Sequence, residues 1–201
     1  HKPAAAARCG EAEGEAVNTL VVRDGRVLGF NTDKEIVAGI EAERVCLIGA
    51  GGAAKALLPG LHAEVRTFTR SGSWPPDASG CDLVVNATPL GMNGEPPPFD
   101  VAALSEKAVV ADTVYHPLET PLLAAARARG LTCVGGLGML VHQAAITFES
   151  FTGVDAPLDA MHAAFVFKLA VGPPPDDLED DFFEAALIGF AEAADLGAPA
   201  L

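Results

Sequence analysis

Short apolar runs alternate with segments of helical periodicity from residue 45 onward. The run at 45–48 is continuously apolar, as is typical of a strand that is buried on both faces of a sheet. Between the runs, apolar residues recur at helical spacing. Strands that alternate with helices in this way predict an α/β fold, in which helices cover a doubly wound parallel sheet. The predicted strands are 45–48, 65–69, 83–85, 108–111 and 131–134, and the predicted helices are 53–61, 121–129, 137–151 and 157–169.

The first 40 residues follow a different pattern. Apolar runs at 19–22 and 26–30 are separated by a turn that contains Asp-Gly, and this arrangement predicts a β-hairpin. Residues 4–16 are rich in Ala, Glu and Gly and predict a short helix and a turn. Asn-Thr-Asp at 31–33 precedes the apolar residues of 35–40 and predicts the capped start of a helix.

The C-terminal segment is strongly acidic. The whole chain has a net charge of -14, and residues 171–201 hold eight acidic residues and no basic one. Residues 172–175 predict a linker, and 178–196 an acidic amphipathic helix. A negative charge of this size argues against nucleic acid and anionic membranes as partners.

The cysteine spacing favours reduced thiols. No C-x-x-C pair occurs, so we predict neither a metal site nor a disulfide framework. No apolar run reaches the roughly 18 residues of a membrane span, and the start of the chain lacks the pattern of a signal peptide. We therefore expect a cytoplasmic protein that does not bind membranes. The four cysteines are Cys9, Cys46, Cys81 and Cys133.

A glycine-rich turn follows the first strand of the predicted sheet and opens the next helix. Its sequence, G-A-G-G-A-A at 49–54, fits the G-x-G-x-x-A pattern of Rossmann-like dinucleotide-binding folds. The first glycine of that pattern permits a tight turn, and the second lets backbone N–H groups approach a pyrophosphate. A glycine-rich turn without a ligand is the alternative, because the pattern alone is weakly specific. The cofactor-binding residues predicted here are Gly49, Ala50, Gly51, Gly52 and Ala53.

The end of the following strand indicates which dinucleotide is bound. NAD-binding units commonly place an acidic residue there to hold the ribose hydroxyls. This chain instead has Thr69, Arg70 and Ser71, a cation between two hydroxyl groups. A guanidinium can donate two N–H groups to phosphate oxygens, so this segment predicts NADP through its 2′-phosphate. A solvated loop arginine is the alternative.

Motifs spread over the chain carry a resemblance to a known family. Together with the glycine turn, in this order and at this approximate spacing, they make residues 1–165 resemble shikimate dehydrogenase. The motifs are Lys2, A-V-N-T at 16–19, G-F-N-T-D at 29–33, V-N-A-T-P-L-G-M at 85–92, D-T-V-Y-H-P at 112–117 with T-P-L-L at 120–123, and G-L-G-M-L-V-H-Q-A at 136–144.

The resemblance implies a two-domain enzyme that reduces 3-dehydroshikimate to shikimate with NADPH, in aromatic amino-acid biosynthesis. It implies that Lys2 and Asp33 form the catalytic pair and that Asn18 and Gln143 bind substrate hydroxyls. Tyr115 would line the site near the substrate and the nicotinamide. The residues implied to border the cofactor are Asn86, Ala87, Thr88, Gly136 and Met139.

Those roles suit the chemistry of a ketone reduction. Hydride delivery leaves an alkoxide, which a lysine can protonate when its surroundings bring its pKa toward neutrality. A neighbouring carboxylate holds the ammonium in place, and amide side chains recognise hydroxyls as both donor and acceptor. Taken alone, each residue also has an ordinary interpretation: Lys2 as a solvated lysine, Asp33 as a helix N-cap and Gln143 as a surface or interface residue.

The sequence departs from the family's pattern in two respects, and the resemblance also predicts how the chain is divided. The family's chain begins earlier, with strands that carry a Ser-x-Ser pair for the substrate carboxylate, and it has a helix where 71–76 is broken by prolines. We therefore expect this chain to bind cofactor but to turn over poorly. The predicted parts are 1–34, the C-terminal remnant of an α/β substrate-binding domain; 35–136, the NADP-binding domain; 137–170, helices that pack back on the substrate domain; and 171–201, an acidic extension.

Two other functions are compatible with the sequence. One is a quinate/shikimate dehydrogenase that uses NAD, which Arg70 disfavours. The other is a degenerate nucleotide-binding protein without catalysis, which the presence of Lys2, Asn18, Asp33 and Gln143 disfavours. For either dehydrogenase we expect a small-molecule substrate and a monomer or homodimer.

Overall fold

The structure, a computed structural model, describes residues 11, 12 and 16–171. The strands are β1 (Glu11–Ala12), β2 (Thr19–Arg23), β3 (Arg26–Phe30), β4 (Arg44–Ile48), β5 (Glu64–Phe68), β6 (Leu83–Asn86), β7 (Val109–Asp112) and β8 (Thr132–Val134). The α-helices are α1 (Glu35–Ala38), α2 (Gly52–Leu57), α3 (Pro121–Ala128), α4 (Gly136–Thr152) and α5 (Leu158–Val171), with 3-10 turns at Leu58–Gly60 and Val101–Ala103.

Strands β4 to β8 form a parallel sheet in the order β5-β4-β6-β7-β8. Successive side chains of β4 point to opposite faces: Cys46 and Ile48 pack into one core cluster, and Val45 and Leu47 into the other. A sheet that buries both faces needs the continuous apolar run that the sequence shows. The prediction of an α/β fold with a doubly wound parallel sheet is confirmed.

The strand order defines where this sheet leaves space for a ligand. After β4 the chain continues to β5 on one side and then returns to β6 on the other side of β4. At such a switch point the connections diverge to opposite faces, and a crevice opens at the carboxyl ends of the two strands. The glycine turn lies in this position, directly after β4.

The N-terminal strands form a second, smaller sheet. β2 and β3 pair antiparallel around a two-residue turn in which Asp24 has φ 51° and Gly25 has φ 73°. Two successive positive φ angles are the signature of the type I′ turn that Asp-Gly favours, so the predicted hairpin is confirmed. β1 pairs parallel with β3. The helix and turn predicted for 4–16 are wrong at residues 11 and 12; residues 4–10 and 13–15 lie outside the described part.

The capping prediction for residues 31–33 is also wrong. The N-cap of α1 is Lys34, outside the predicted residues, and its side chain makes no capping hydrogen bond. The side chain of Asn31 is instead occupied elsewhere, since its Oδ1 accepts from the Asp33 N–H at 3.1 Å and its Nδ2 donates to the Ala56 carbonyl at 2.5 Å. This second bond ties the end of the hairpin to α2.

The later helices begin and end near the predicted residues. Thr120 caps α3 by accepting from the Leu123 N–H, and the helix is followed by Gly130 at φ 74°. The left-handed Gly153 ends α4. Residues 69–82 contain no helix, as the prolines there predict. Cys46, Cys81 and Cys133 are free thiols, and burial raises the pKa of Cys46 to about 12.

Some predictions fall on residues that the structure does not describe. They concern Lys2, Cys9, the linker at 172–175 and the helix at 178–196. Within the described part, no helix is both long enough and apolar enough to cross a membrane. The same part holds no group of three His, Cys, Asp or Glu side chains arranged to bind a metal ion.

Candidate functional site

The glycine turn can be formed only with glycine at its first position. Gly49 has φ +111°, and a Cβ there would lie 2.7 Å from the Ala87 carbonyl oxygen at the end of β6. Gly51 and Gly52 are exposed, and a Cβ on either would meet no atom within 4 Å. Gly49 therefore packs against the end of β6, and the backbone of Gly51 and Gly52 is exposed at the surface.

A first cavity, which we call the loop cavity, opens on one side of this turn. Its volume is about 370 Å³, and the segments 68–74 and 88–95 form its walls. The predicted cofactor residues Gly49, Ala50, Thr69, Arg70 and Thr88 all line it.

A second cavity, which we call the hairpin cavity, opens on the other side and has a volume of about 370 Å³. The hairpin and its exit contribute Asn18 and Asp33, the segment after β7 contributes Tyr115, and α4 contributes Gln143. These are the four predicted catalytic and substrate-binding residues that the structure describes, and they come from positions up to 125 residues apart. Predicted cofactor residues on the same walls are Ala53, Gly136 and Met139.

Hydrogen bonds connect the hairpin to α4 beside this cavity. Asn18 Nδ2 donates to Thr32 Oγ1 at 2.8 Å and to Gln143 Oε1 at 3.4 Å. Asn18 Oδ1 accepts from the Thr32 N–H at 3.0 Å, and the Thr19 and Thr147 hydroxyls lie 3.0 Å apart. The amide side chains of Asn18 and Gln143 are thus fixed next to each other, and some of their hydrogen-bonding groups already have partners within the protein.

Gly136 allows α4 to begin close to the segment that follows β7. A Cβ on this glycine would clash with the Val114 carbonyl group and lie 2.6 Å from the Thr113 carbonyl oxygen. Met139 follows one turn later and is packed against the sheet. Any larger residue at 136 would push α4, and Gln143 with it, away from the cavity.

A buried polar network organises the carboxyl ends of β6 and β7. Asp112 is fully buried: its Oδ1 accepts from Asn86 Nδ2 at 2.9 Å and from the Val114 N–H at 3.0 Å, and its Oδ2 accepts from Thr120 Oγ1 at 2.7 Å. Asn86 Oδ1 in turn accepts from Thr88 Oγ1 at 2.6 Å. One carboxylate thus holds together three loops around the crevice.

This network changes the interpretation of Asn86. The sequence places Asn86 beside the cofactor, but its side chain is 2% exposed and is directed at Asp112. It supports Thr88, which does line the loop cavity. Ala87 is also buried and meets the turn through its carbonyl oxygen. The sequence analysis assigned no role to Asp112 or Thr120. The one available signal was that Asn86 and Asp112 are polar residues at the ends of two apolar strands, which could have indicated a buried polar contact.

Asp112 makes folding stability depend on pH. Burial raises its pKa above the ordinary 3.8, while hydrogen bonds from Thr120, Val114 and Asn86 oppose that rise. When the pKa of a carboxyl is higher in the folded state, its protonated form stabilises the fold. This stabilisation is complete below pH 3.8 and is lost as the pH rises through the raised pKa. Asp112→Asn cannot titrate. We expect the unfolding free energy of the wild type, relative to Asp112→Asn, to fall with rising pH across this window.

Chemical denaturation at a series of pH values measures this difference. Asp155→Asn is the matched control, because Asp155 is exposed in the loop before α5. A wild-type-minus-variant difference that stays constant with pH for Asp112→Asn would contradict the raised pKa.

Comparisons with known proteins agree with this architecture. The family model described as "Shikimate 5'-dehydrogenase C-terminal domain" matches residues 136–164. The chain is 40% identical over 200 residues to the shikimate dehydrogenase (NADP(+)) of Gluconobacter oxydans, covering 79% of this chain and 70% of that protein.

Solved structures of shikimate dehydrogenases have the same fold. One, in complex with NADP+, superimposes with a TM-score of 0.71 at 28% identity, covering 84% of this chain and 74% of that chain. Another, from Thermus thermophilus in complex with NADP(H) and shikimate, gives a TM-score of 0.67 at 30% identity, covering 81% and 74%. With a parallel sheet, a glycine turn at its switch point and a relative of this identity and coverage, the chain belongs to the shikimate dehydrogenase family.

Proposed function

We propose that this chain catalyses the NADP-dependent shikimate dehydrogenase reaction, the reduction of 3-dehydroshikimate to shikimate. One observation supports this most strongly: Asn18, Asp33, Tyr115 and Gln143 line a single cavity beside the glycine turn. The cavity contains a carboxylate and two amides, which suits a small polyhydroxylated substrate. The product would enter aromatic amino-acid biosynthesis.

The residues on the other side of the turn fit NADP. The exposed backbone at Gly51 and Gly52 suits the pyrophosphate, and the exposed Arg70 suits the 2′-phosphate. No acidic side chain stands among Thr69, Arg70 and Ser71 at the end of β5. The nicotinamide would reach the hairpin cavity past Ala53, Gly136 and Met139. When bound, the dinucleotide supplies the hydride.

The protein residues then manage the proton. Reduction of the ketone creates an alkoxide, and Lys2 is the proposed donor of a proton to that oxygen. Asp33 is 9% exposed at the wall of the hairpin cavity, so its carboxylate would hold the lysine ammonium in a site with little competing water. Asn18 and Gln143 orient the substrate through its hydroxyls.

The two sheets suggest how the work is divided. We assign residues 1–34 to a substrate-binding part, 35–136 to the NADP-binding part and 137–170 to helices that pack back on the first. The hydrogen bonds of Asn18 to Thr32 and Gln143 support the last assignment. The acidic extension at 171–201 is not assigned to any of these parts. The proposed setting is a cytoplasmic monomer or homodimer without membrane or nucleic-acid partners.

Arg70→Ala should weaken NADP binding and leave NAD binding nearly unchanged. A charge-assisted hydrogen bond to phosphate contributes about 1.5–3 kcal/mol, which NAD cannot recover because it has no 2′-phosphate. Calorimetric titration of both dinucleotides measures the change. Arg127→Ala is the control, since Arg127 lies on α3 and pairs with Glu119 at 2.6 Å. Equal losses for NADP and NAD would remove Arg70 from the 2′-phosphate site.

A single-turnover experiment tests the function itself. With the chain in excess over NADP, we expect shikimate to convert bound NADP to NADPH, slowly, as seen in the absorbance of the reduced nicotinamide. Quinate with NAD should give no comparable signal. The opposite preference would favour the quinate enzyme. NADP binding without any reduction at saturating shikimate would favour the non-catalytic alternative.

A further inference from the structure

We propose that Trp74 is a positioning residue for the 2′-phosphate of the cofactor, because its indole ring holds the Arg70 guanidinium in place. The inference rests on the proposed function and concerns how the NADP site of this chain is built. It gives a role to a residue of the proline-broken segment 71–76, to which the sequence assigned none.

The contact itself is a cation–π pair at the wall of the loop cavity. Arg70 Cζ lies 5.9 Å from the centroid of the Trp74 ring, and both side chains line the cavity. Among the residues that the structure describes, no carboxylate forms an ion pair with Arg70. A guanidinium stacked on an aromatic face keeps its N–H groups available at its edge, where a phosphate can accept from them.

The loop that carries Trp74 is attached to the sheet just beyond it. Arg66 on β5 pairs with Asp77 at 3.7 Å and donates to the Ser79 carbonyl at 3.0 Å. Pro76 and Ala78 are buried, Ala78 within the core below. Because the chain is fixed on this side, the ring is a stable platform although 38% of Trp74 is exposed.

Arg70 needs such a platform because the loop cavity also contains a fixed negative charge. Glu95 lines the same cavity, and its carboxylate accepts from Asn93 Nδ2 at 3.1 Å and from the Gly91 and Asn93 N–H groups at 3.0 Å. These bonds hold the pKa of Glu95 down at about 2. A phosphate is repelled by Glu95 and attracted by Arg70, so the place where Trp74 holds the guanidinium determines where the phosphate binds.

Dinucleotide titrations of two Trp74 variants test this role. For Trp74→Leu we expect NADP affinity to fall about fivefold, the upper range for an exposed cation–π pair, and NAD affinity to change less than about twofold. Trp74→Phe keeps an aromatic face and should retain NADP affinity within about twofold. Phe151→Leu, which replaces an exposed aromatic residue on α4, is the matched control.

A double-mutant cycle with Arg70→Ala separates positioning from other roles. Once Arg70 is removed, Trp74→Leu should no longer affect NADP affinity, because coupled residues are non-additive. Trp74 is the only tryptophan in the sequence, so its emission reports on this site directly. We expect NADP, and also adenosine 2′,5′-bisphosphate, to change that emission in the wild type.

The outcomes distinguish this inference from the proposed function. Equal losses of NADP and NAD affinity in Trp74→Leu, a full effect in the Arg70→Ala background or an unchanged emission would each overturn the role of Trp74. If the wild type prefers NADP and Trp74→Leu binds it equally well, the proposed function stands and this inference fails. If the wild type binds no NADP, both fail.

Discussion

Asp33→Asn is expected to lower kcat/KM for shikimate by a factor of about 10²–10⁴, the usual contribution of a positioned acid–base group. Asparagine has nearly the same shape, but it carries no charge with which to hold a lysine ammonium. NADP affinity should hardly change, because Asp33 lines the hairpin cavity and not the loop cavity. Single-turnover rates of NADPH formation at a series of shikimate concentrations give kcat/KM, and calorimetric titration gives the NADP affinity separately.

Glu35→Gln is the matched control for this substitution. Glu35 lies two residues further along the chain, and its side chain is exposed and 3.9 Å from Lys34. It should retain wild-type kinetics. In a double-mutant cycle with Lys2→Ala, the second substitution should lower kcat/KM only a little further once the first is present, because the effects of residues that act as a unit are non-additive. Fully additive losses, or near-normal activity of Asp33→Asn, would contradict the proposed pair.

Gly49→Ala should remove most NADP binding and destabilise the fold. At φ +111° an alanine is strained, which alone costs about 1–3 kcal/mol. Its Cβ would in addition lie 2.7 Å from the Ala87 carbonyl oxygen, so the turn must move away from β6. That movement displaces the backbone that faces the pyrophosphate. Thermal unfolding and NADP titration of the same variant measure both effects.

Gly138→Ala is the control for a glycine that can be replaced. Gly138 lies within α4, and a Cβ there would meet no atom within 4 Å. Alanine should stabilise this helix by roughly 0.5–1 kcal/mol, in contrast to the loss of stability expected for Gly49→Ala. Equal behaviour of Gly49→Ala and Gly138→Ala would show that the first position of the turn has no special backbone requirement.

The sheet and the hairpin could be predicted because their signals are local. Residues 45–48 are apolar throughout because both faces of β4 are buried, and Asp24-Gly25 specifies the turn between β2 and β3. The capping prediction at 31–33 failed for a non-local reason. The side chain of Asn31 bonds to Ala56 on α2, and no pattern near residue 31 contains that partner.

The candidate site could be predicted only in part. The glycine turn has a recognisable pattern, whereas Asn18, Asp33 and Gln143 gained their roles from the family resemblance alone. Those roles remain predictions, although the structure places the three side chains around one cavity. Asp112 was missed because its contacts with Asn86 and Thr120 depend on how separate loops pack at the carboxyl ends of the strands. Trp74 was missed for another reason: it lies in the same irregular loop as Arg70, and a loop has no periodic pattern that would predict the contact between them.

A crystal structure of the chain with NADP+ and shikimate tests the central claim most directly. We expect the 2′-phosphate at Arg70 in the loop cavity and the pyrophosphate at the glycine turn. Shikimate should lie in the hairpin cavity, within hydrogen-bond distance of Asn18 and Gln143. Asp33 should face the C–OH group that is oxidised. A dinucleotide away from the glycine turn, or shikimate outside the hairpin cavity, would contradict it.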